Sequence, residues 1–277
     1  FFGILLLDEQ IKQNLLLQDE LKRNYNQISA YITNGIANQA DLDAVKVNQL
    51  STAQRKVELD ATRKAYREML SALIGEEIKE GTSLVKPSFA EEASLSSTVN
   101  RPELRLFEAQ SNLFETQKNL VDAKNLPKLG VFVQGGYGNP GLNMLKNEFT
   151  PYYIAGARLS WNFGSLYTKK NDKKLLDNNL QNVAIQKETF LFNTNLKMTQ
   201  QSNEIDKIKQ LMRDDDEIIR LRTNIKKASE VKVEHGTLSV TDLLRDINSE
   251  DQAKQSKVLH EIQLLISIYN YKNSTNN

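Results

Sequence analysis

The sequence predicts a mainly α-helical protein that carries one β-hairpin and an internal repeat. Three observations carry that expectation. Residues 165–235 contain neither glycine nor proline, and residues 237–277 contain neither. All five prolines lie between Pro87 and Pro151, and seven of the twelve glycines lie between Gly130 and Gly164. Within that interrupted middle, two segments alternate apolar with small or polar residues at period two. Glycine and proline are the strongest breakers of regular structure. A breaker-free run rich in Leu, Ile, Lys, Glu, Gln and Asn therefore reads as one very long helix, a sharp turn and a second helix folding back. At about 1.5 Å per residue the first of these spans on the order of 100 Å.

The elements follow in order. Residues 4–33 read as helix, with Leu5, Ile11, Leu15, Leu16, Leu21 and Ile28 as the apolar positions, stopped by Asn34-Gly35. A second helix runs from about 39 to 78. Residues 79–100 are mixed and read as an irregular insert. Asn100-Arg101-Pro102-Glu103 is a helix start, with an Asn cap, proline in the first turn and Glu three residues after the cap. That helix reaches about Asn125 and is closed by Pro127.

Two strands come next, 128–138 and 151–163, joined by a loop holding Asn139-Pro140-Gly141. In the first, Leu129, Val131 and Val133 alternate with Gly130, Phe132 and Gln134. In the second, Tyr153, Ala155, Ala157, Leu159, Trp161 and Phe163 share one face, and Tyr152, Ile154, Gly156, Arg158, Ser160 and Asn162 the other. Strands of about ten residues with this two-faced pattern match a membrane-spanning barrel, lipid on one side and a polar lumen on the other. Tyr137, Tyr152, Tyr153, Trp161 and Phe163 near the strand ends are what an interfacial girdle uses. A water-soluble hairpin with one buried face fits the same periodicity.

The repeat relates Asn34-Gly35-Ile36-Ala37-Asn38-Gln39-Ala40-Asp41-Leu42 to His235-Gly236-Thr237-Leu238-Ser239-Val240-Thr241-Asp242-Leu243. Each glycine can take the left-handed conformation that ends a helix. Asn38 and Ser239 can cap the next helix, with Asp41 and Asp242 in the capping-box position three residues on. The chain thus holds two helix–elbow–helix units.

Composition bounds the function. The 277 residues carry a net charge of +1, so no bulk field draws the chain to nucleic acid or anionic lipid. There is no cysteine, hence no disulfide and no thiolate metal site. No apolar run reaches the roughly 20 residues of a spanning helix, and no signal peptide is visible. The chain opens on Phe1-Phe2-Gly3-Ile4 as if inside an element, so a further N-terminal portion is expected. No phosphate-binding loop, zinc spacing or Ser/His/Asp arrangement is present; Gly135-Gly136-Tyr137-Gly138 lies at a strand end with no helix after it. The chain is not expected to be an enzyme or to hold a cofactor or metal. Asp214-Asp215-Asp216-Glu217, flanked by Arg213, Arg220 and Arg222, points around a helix and reads as a solvated face rather than a metal site.

Several residue groups, in order, are then specific. Arg101-Pro102-Glu103-Leu104, Leu126-Pro127 before a strand, Leu159-Ser160-Trp161-Asn162-Phe163-Gly164 before a long helix, and Gly236 followed by Asp242-Leu243-Leu244 resemble the TolC-like outer membrane efflux protein family over essentially the whole chain. The resemblance implies a homotrimer in the cell outer membrane of a Gram-negative bacterium, extending into the periplasm. It implies long antiparallel helices of a periplasmic helical barrel below a 12-stranded outer-membrane β-barrel, to which each protomer gives four strands, two of them here. The chain then divides into a first helix–elbow–helix unit (1–78), an equatorial segment (79–100), an ascending helix (101–127), the strand pair (128–163) with extracellular loop 139–150, and a second helix–elbow–helix unit (164–277).

The implied function is a passive exit duct of a tripartite efflux or type I secretion system. A periplasmic adaptor (membrane fusion) protein opens it and an inner-membrane transporter supplies the energy; outer membrane lipid surrounds the strands. The elbows Asn34, Gly35, Ile36, Ala37 and Asn38, and His235, Gly236, Thr237, Leu238 and Ser239, are implied to dock the adaptor; as plain residues they are tight turns, with His235 facing solvent. Asp242 is implied to line the periplasmic entrance constriction, where a second aspartate of the family is replaced by Arg245. By its own residues Asp242 reads first as a helix-capping carboxylate favoured by the helix dipole, and the two roles can coexist. The alternative to a duct is a soluble coiled-coil scaffold or interaction protein with a β-hairpin insert; it needs neither the matched elbows nor two-faced strands of barrel length.

Overall fold

The computed structural model describes residues 1–79, 81–88 and 98–276. Its elements are α1 (Phe2–Thr33), α2 (Gln39–Ile74), α3 (Pro102–Lys124), β1 (Lys128–Gly138), β2 (Thr150–Ser160), α4 (Ser165–Glu234) and α5 (Val240–Thr275). The long breaker-free run is a single helix of 70 residues, α4. The expected irregular segment at 79–100 lies partly outside the described residues. Among the described residues no helix is long and apolar enough to cross a membrane. The chain divides into two compact units. The first holds residues 1–99 and 196–277, and the second holds residues 100–195.

In the first unit α1, α2, the later half of α4 and α5 pack together. The buried stripe of α1 runs through Ile4, Leu7, Ile11, Asn14, Leu17, Leu21, Asn24 and Ile28, with Leu5 buried beside it against Ile262 and Leu265 of α5. Alternating three- and four-residue steps keep such a stripe against one neighbour when the helices supercoil left-handedly. Leu15 and Leu16, expected in the apolar stripe, are instead exposed. Asn14 takes the seam position and donates to the Thr52 backbone carbonyl at 3.1 Å. A polar seam residue with one specific partner fixes the register of two helices at some cost in stability. On α4, Met198 and Ile205 repeat at the same seven-residue spacing and pack with Ile208 against Leu264, Ile268 and Tyr271 of α5.

α2 ends earlier than the expected 78. Gly75 adopts φ +73° and its N–H bonds the Ser71 carbonyl, which stops the helix at Ile74. The start of α3 also differs: Arg101, not Asn100, is the cap residue, without a side-chain cap bond. Pro102 opens the helix as expected, and Arg101 pairs with Glu103.

In the second unit α3, the hairpin and residues 165–195 of α4 are tied at one corner. Asn125, buried at the end of α3, accepts from the Trp161 indole N–H through its backbone oxygen at 3.1 Å. Its side-chain oxygen accepts from the Ser165 hydroxyl at 2.9 Å. β2 therefore ends at Ser160 rather than 163, because Trp161 and Ser165 are held by this corner and Phe163 leads into α4. β1 and β2 pair antiparallel from Lys128↔Ser160 to Gly138↔Thr150.

Candidate functional site: the two elbows and the hairpin faces

The elbows repeat atom for atom at the helix ends. Gly35 and Gly236 both have positive φ, +73° and +66°. Gly35 N bonds Ile32 O and Ile36 N bonds Tyr31 O; Gly236 N bonds Val233 O and Thr237 N bonds Lys232 O. This is the two-bond Schellman termination, which needs a left-handed residue that only glycine adopts without strain. Gly236→Ala is therefore expected to destabilise the protein by about 1–2 kcal/mol, read as a lower denaturant midpoint with an unchanged slope.

The start of the next helix differs between the copies. Asn38 accepts from Asp41 N and Asp41 returns the bond to Asn38 N, each at 3.0 Å, a complete capping box. At the second elbow Ser239 Oγ accepts from Asp242 N at 3.1 Å and donates to Asp242 Oδ2 at 2.7 Å. The other oxygen of Asp242 meets Arg245 Nη2 at 3.0 Å. Both carboxylate oxygens are thus engaged, one by the cap and one by the arginine. The structure brings the two elbows together: the γ2 methyl of Ile36 lies 3.9 Å from where a β-carbon on Gly236 would stand. Ala37 and Leu238 pack half-buried on a shared core of Leu17, Leu21, Ile28, Val45, Val233, Val240, Leu243, Leu244 and Ile247. Asn34, Gly35, Ile36, Asn38, His235, Gly236, Thr237 and Ser239 are exposed.

Behind the elbows lies an ion cluster that sequence patterning does not reveal. Lys226 Nζ meets Glu20 at 2.6 Å and Glu250 at 2.7 Å, and Lys254 meets Glu250 at 2.9 Å. Thr223 donates to Glu250 at 2.6 Å. Burial by itself would raise the Glu250 carboxyl, but the bonds from Lys226, Thr223 and Lys254 hold it at about 2. The partners come from three helices, and Lys226 and Glu20 alone lie 206 positions apart, so no local window contains them.

The acidic run 214–217 departs from a uniformly solvated face. Asp215 is buried and its carboxylate lies 2.9 Å from His260 Nδ1. Asp216 pairs with Lys257, and Glu217 with Arg220. Among the described residues no group of three or more metal-ligating side chains forms.

The hairpin register assigns its faces directly, because paired residues share a face. Leu129, Val131, Val133 and Tyr137 pair with Leu159, Ala157, Ala155 and Pro151 on one side, which Tyr153 joins. The exposure of Leu129, Val131, Val133, Tyr137, Tyr153 and Leu159 is 69–80%. The opposite side holds Gly130, Gln134 and Arg158. There Gly136 sits under the Tyr152 ring and Gly156 under the Phe132 ring; a β-carbon on either would stand within 2.8 Å of the ring. Tyr152, expected in the girdle by its place near the strand end, lies on this reverse face as strand alternation requires, with its ring over Gly136. Tyr137 instead stacks on Phe149 at 5.6 Å at the loop end. Trp161 and Phe163 pack at 4.5 Å at the base.

No protein-family profile and no curated protein matches the chain by sequence. Solved structures do match it along its whole length. The outer membrane protein VceC of Vibrio cholerae is 11% identical, with a TM-score of 0.76 over 100% of this chain and 68% of that one. The chain has the TolC-like outer membrane efflux protein fold. The CmeC outer membrane channel of Campylobacter jejuni is 13% identical, with a TM-score of 0.72 over 99% of this chain and 60% of that one. CusC, whose structures concern transmembrane channel formation, is 11% identical, with a TM-score of 0.80 over 99% of this chain and 66% of that one. The chain thus spans about two-thirds of the length of these proteins.

Proposed function

We propose that the chain is part of a protomer of a homotrimeric outer-membrane channel, a passive exit duct that extends into the periplasm. The observation that carries this reading is the apolar face of the hairpin. Six large apolar or aromatic side chains stand 69–80% exposed on it, whereas the reverse face carries Gly130, Gly136, Gly138, Gly156, Gln134 and Arg158, with Phe132 and Ile154 only 40% exposed and Tyr152 folded over a glycine. In water such a face is a liability. In a barrel it faces lipid while the reverse face borders an aqueous lumen. The aromatic pairs Tyr137–Phe149 and Trp161–Phe163, together with Tyr153, supply the two interfacial girdles.

The trimer reading is supported by unpartnered helix faces of seven-residue spacing. Leu106, Leu113 and Leu120 on α3 and Leu211, Ile218 and Ile225 on α4 are all exposed. Such seams pack against other helices in a helical barrel. The joined, exposed elbows offer a docking tip for a periplasmic adaptor protein, and an inner-membrane transporter supplies the energy, since the duct performs no chemistry. Asp242 and Arg245 border the periplasmic entrance. Their pairing makes the local charge near neutral, unlike a purely acidic ring.

The full-length protein, extracted from outer membranes in detergent, is expected to be a trimer that conducts ions in a planar bilayer. A soluble monomer or dimer without conductance would sink this reading. In the same bilayers Arg245→Ala is expected to raise cation selectivity, because it leaves Asp242 uncompensated, and Asp242→Asn to lower it. Unchanged selectivity in both variants would leave Asp242 as a helix cap and nothing more.

A further inference from the structure

A polar cavity of about 420 Å³ opens between α1, α2 and α5 in the first unit. Leu17 supplies an apolar wall; Asn48, Ser51, Thr52, Arg55, Asn248, Asp251, Gln252 and Gln255 complete the lining. Gln255 is more than nine-tenths buried, and neither its amide nitrogen nor its amide oxygen has a hydrogen-bond partner. A buried amide left bare is costly, and native structures seldom keep one without a ligand or water to satisfy it. Thr52 and Asn48, by contrast, are already engaged. Thr52 donates to the Asn48 carbonyl, and Asn48 accepts from Asn248.

Opposite charges also face this cavity without meeting. Burial pushes the Asp251 carboxyl up, and Arg55 is near enough to pull it down, yet the two form no ion pair among the described residues. Gln255 stands beside Asp251 without a bond of good geometry. The cavity therefore presents the part-buried Asp251 carboxylate, which Arg55 and Lys254 favour in its charged form without an ion pair to either among the described residues, the exposed Arg55 guanidinium, and the unsatisfied Gln255 amide. A lone cation would be repelled by Arg55 and a lone anion by Asp251. Arginine favours a planar carboxylate, which it can hold through two parallel bonds.

We propose that this cavity binds a small zwitterionic solute of the α-amino-acid type, its ammonium on Asp251, its carboxylate on Arg55 and its remaining polar groups on the Gln255 amide. The site lies within one protomer and does not depend on the channel reading; a protein that failed to conduct could still bind.

The test is calorimetric titration of the full-length protein with L-alanine and with alanylalanine. Saturable binding of at least one of them, at one site per protomer, is expected. Propionate, which lacks the ammonium, and alanine methyl ester, which lacks the carboxylate, are expected to bind at least about tenfold more weakly, the loss of one charged hydrogen bond. Asp251→Asn and Arg55→Met are each expected to weaken binding by about the same factor, with thermal unfolding measured alongside to confirm that the variants fold. Because the analogue series uses the unaltered protein, it remains decisive if a variant does not fold. Absence of saturable binding by both probes, equal binding of propionate, or affinity unchanged in both folded variants would overturn the proposal and leave the cavity to ordered water.

Discussion

Lys226→Ala is expected to destabilise the protein by about 3–5 kcal/mol, the largest single-residue effect outside the hydrophobic cores. The alanine removes the cation that Glu20 and Glu250 share and leaves two carboxylates in a site where Glu250 is 4% exposed. Lys254 still reaches Glu250, but nothing among the described residues replaces the bond to Glu20. Replacing the whole group at once, with Lys226→Met, Glu20→Gln and Glu250→Gln, is expected to recover most of the loss, because no buried charge then lacks a partner. Denaturant unfolding at neutral pH compares the two variants. A loss under about 1 kcal/mol for Lys226→Ala would mean that the cluster behaves as a solvated surface pair. The cluster also sets an acid limit. Glu250 is held at about 2 in the folded protein against 4.5 ordinarily. Its folded-state pKa is depressed, so its contribution is complete above about 4.5 and is lost as pH falls from there toward about 2. Glu250→Gln is expected to flatten the pH dependence of stability across that window. The cluster ties α4 to α1 and α5 behind the elbows, so its loss loosens the tip that the adaptor is proposed to grip.

The second large effect concerns the hairpin. Val131→Arg is expected to cost about 2–4 kcal/mol of membrane stability, because it places a charge near mid-strand on the side proposed to face lipid. Val131 pairs with Ala157 and is 80% exposed, so no neighbouring side chain shields the guanidinium. Gln134→Arg, three positions on and on the reverse face, is expected to leave assembly intact and to alter ion selectivity only. Heat-resistant trimer in outer-membrane fractions, compared for the two variants, separates the faces. Equal yields would mean that the hairpin does not sit in lipid with the orientation given by its register.

Much of the fold was legible in the sequence because its signals are local. A 70-residue helix needs only the absence of breakers, and the two elbows need only a glycine followed three residues later by a cap. The strand faces were legible for the same reason, since period two is a property of consecutive residues. Errors arose where a second element intervened. The face of Tyr152 follows from alternation alone, but the packing of its ring over Gly136 needs the facing strand. β2 stops at Ser160 because Asn125 of α3 captures Trp161 and Ser165. Leu15 and Leu16 look like core residues in isolation, but the seven-residue seam passes through Asn14 and Leu17. Asp215 looked solvated within its acidic run until His260 was placed against it by α5.

The candidate site divides the same way. The elbows and the Ser239 cap were visible because they span a few consecutive residues, whereas the second elbow lacks the carboxylate half of the capping box that the first one completes. The pairing of Asp242 with Arg245 lies one helical turn away and was also within reach. The Lys226 cluster and the Asp251–Arg55 cavity were not, because their members come from different helices.

The sequence by itself determined the long helices, their turning points, the two-faced hairpin and the repeat. Each depends on dihedral preference or on a periodicity confined to one segment. Only the tertiary structure decided that the elbows touch through Ile36 and Gly236, that Lys226 neutralises carboxylates on two other helices, and that Gln255 faces a cavity. The physical reason is that charge pairing and desolvation depend on distance in space, and side chains tens to hundreds of positions apart meet only after the helices pack.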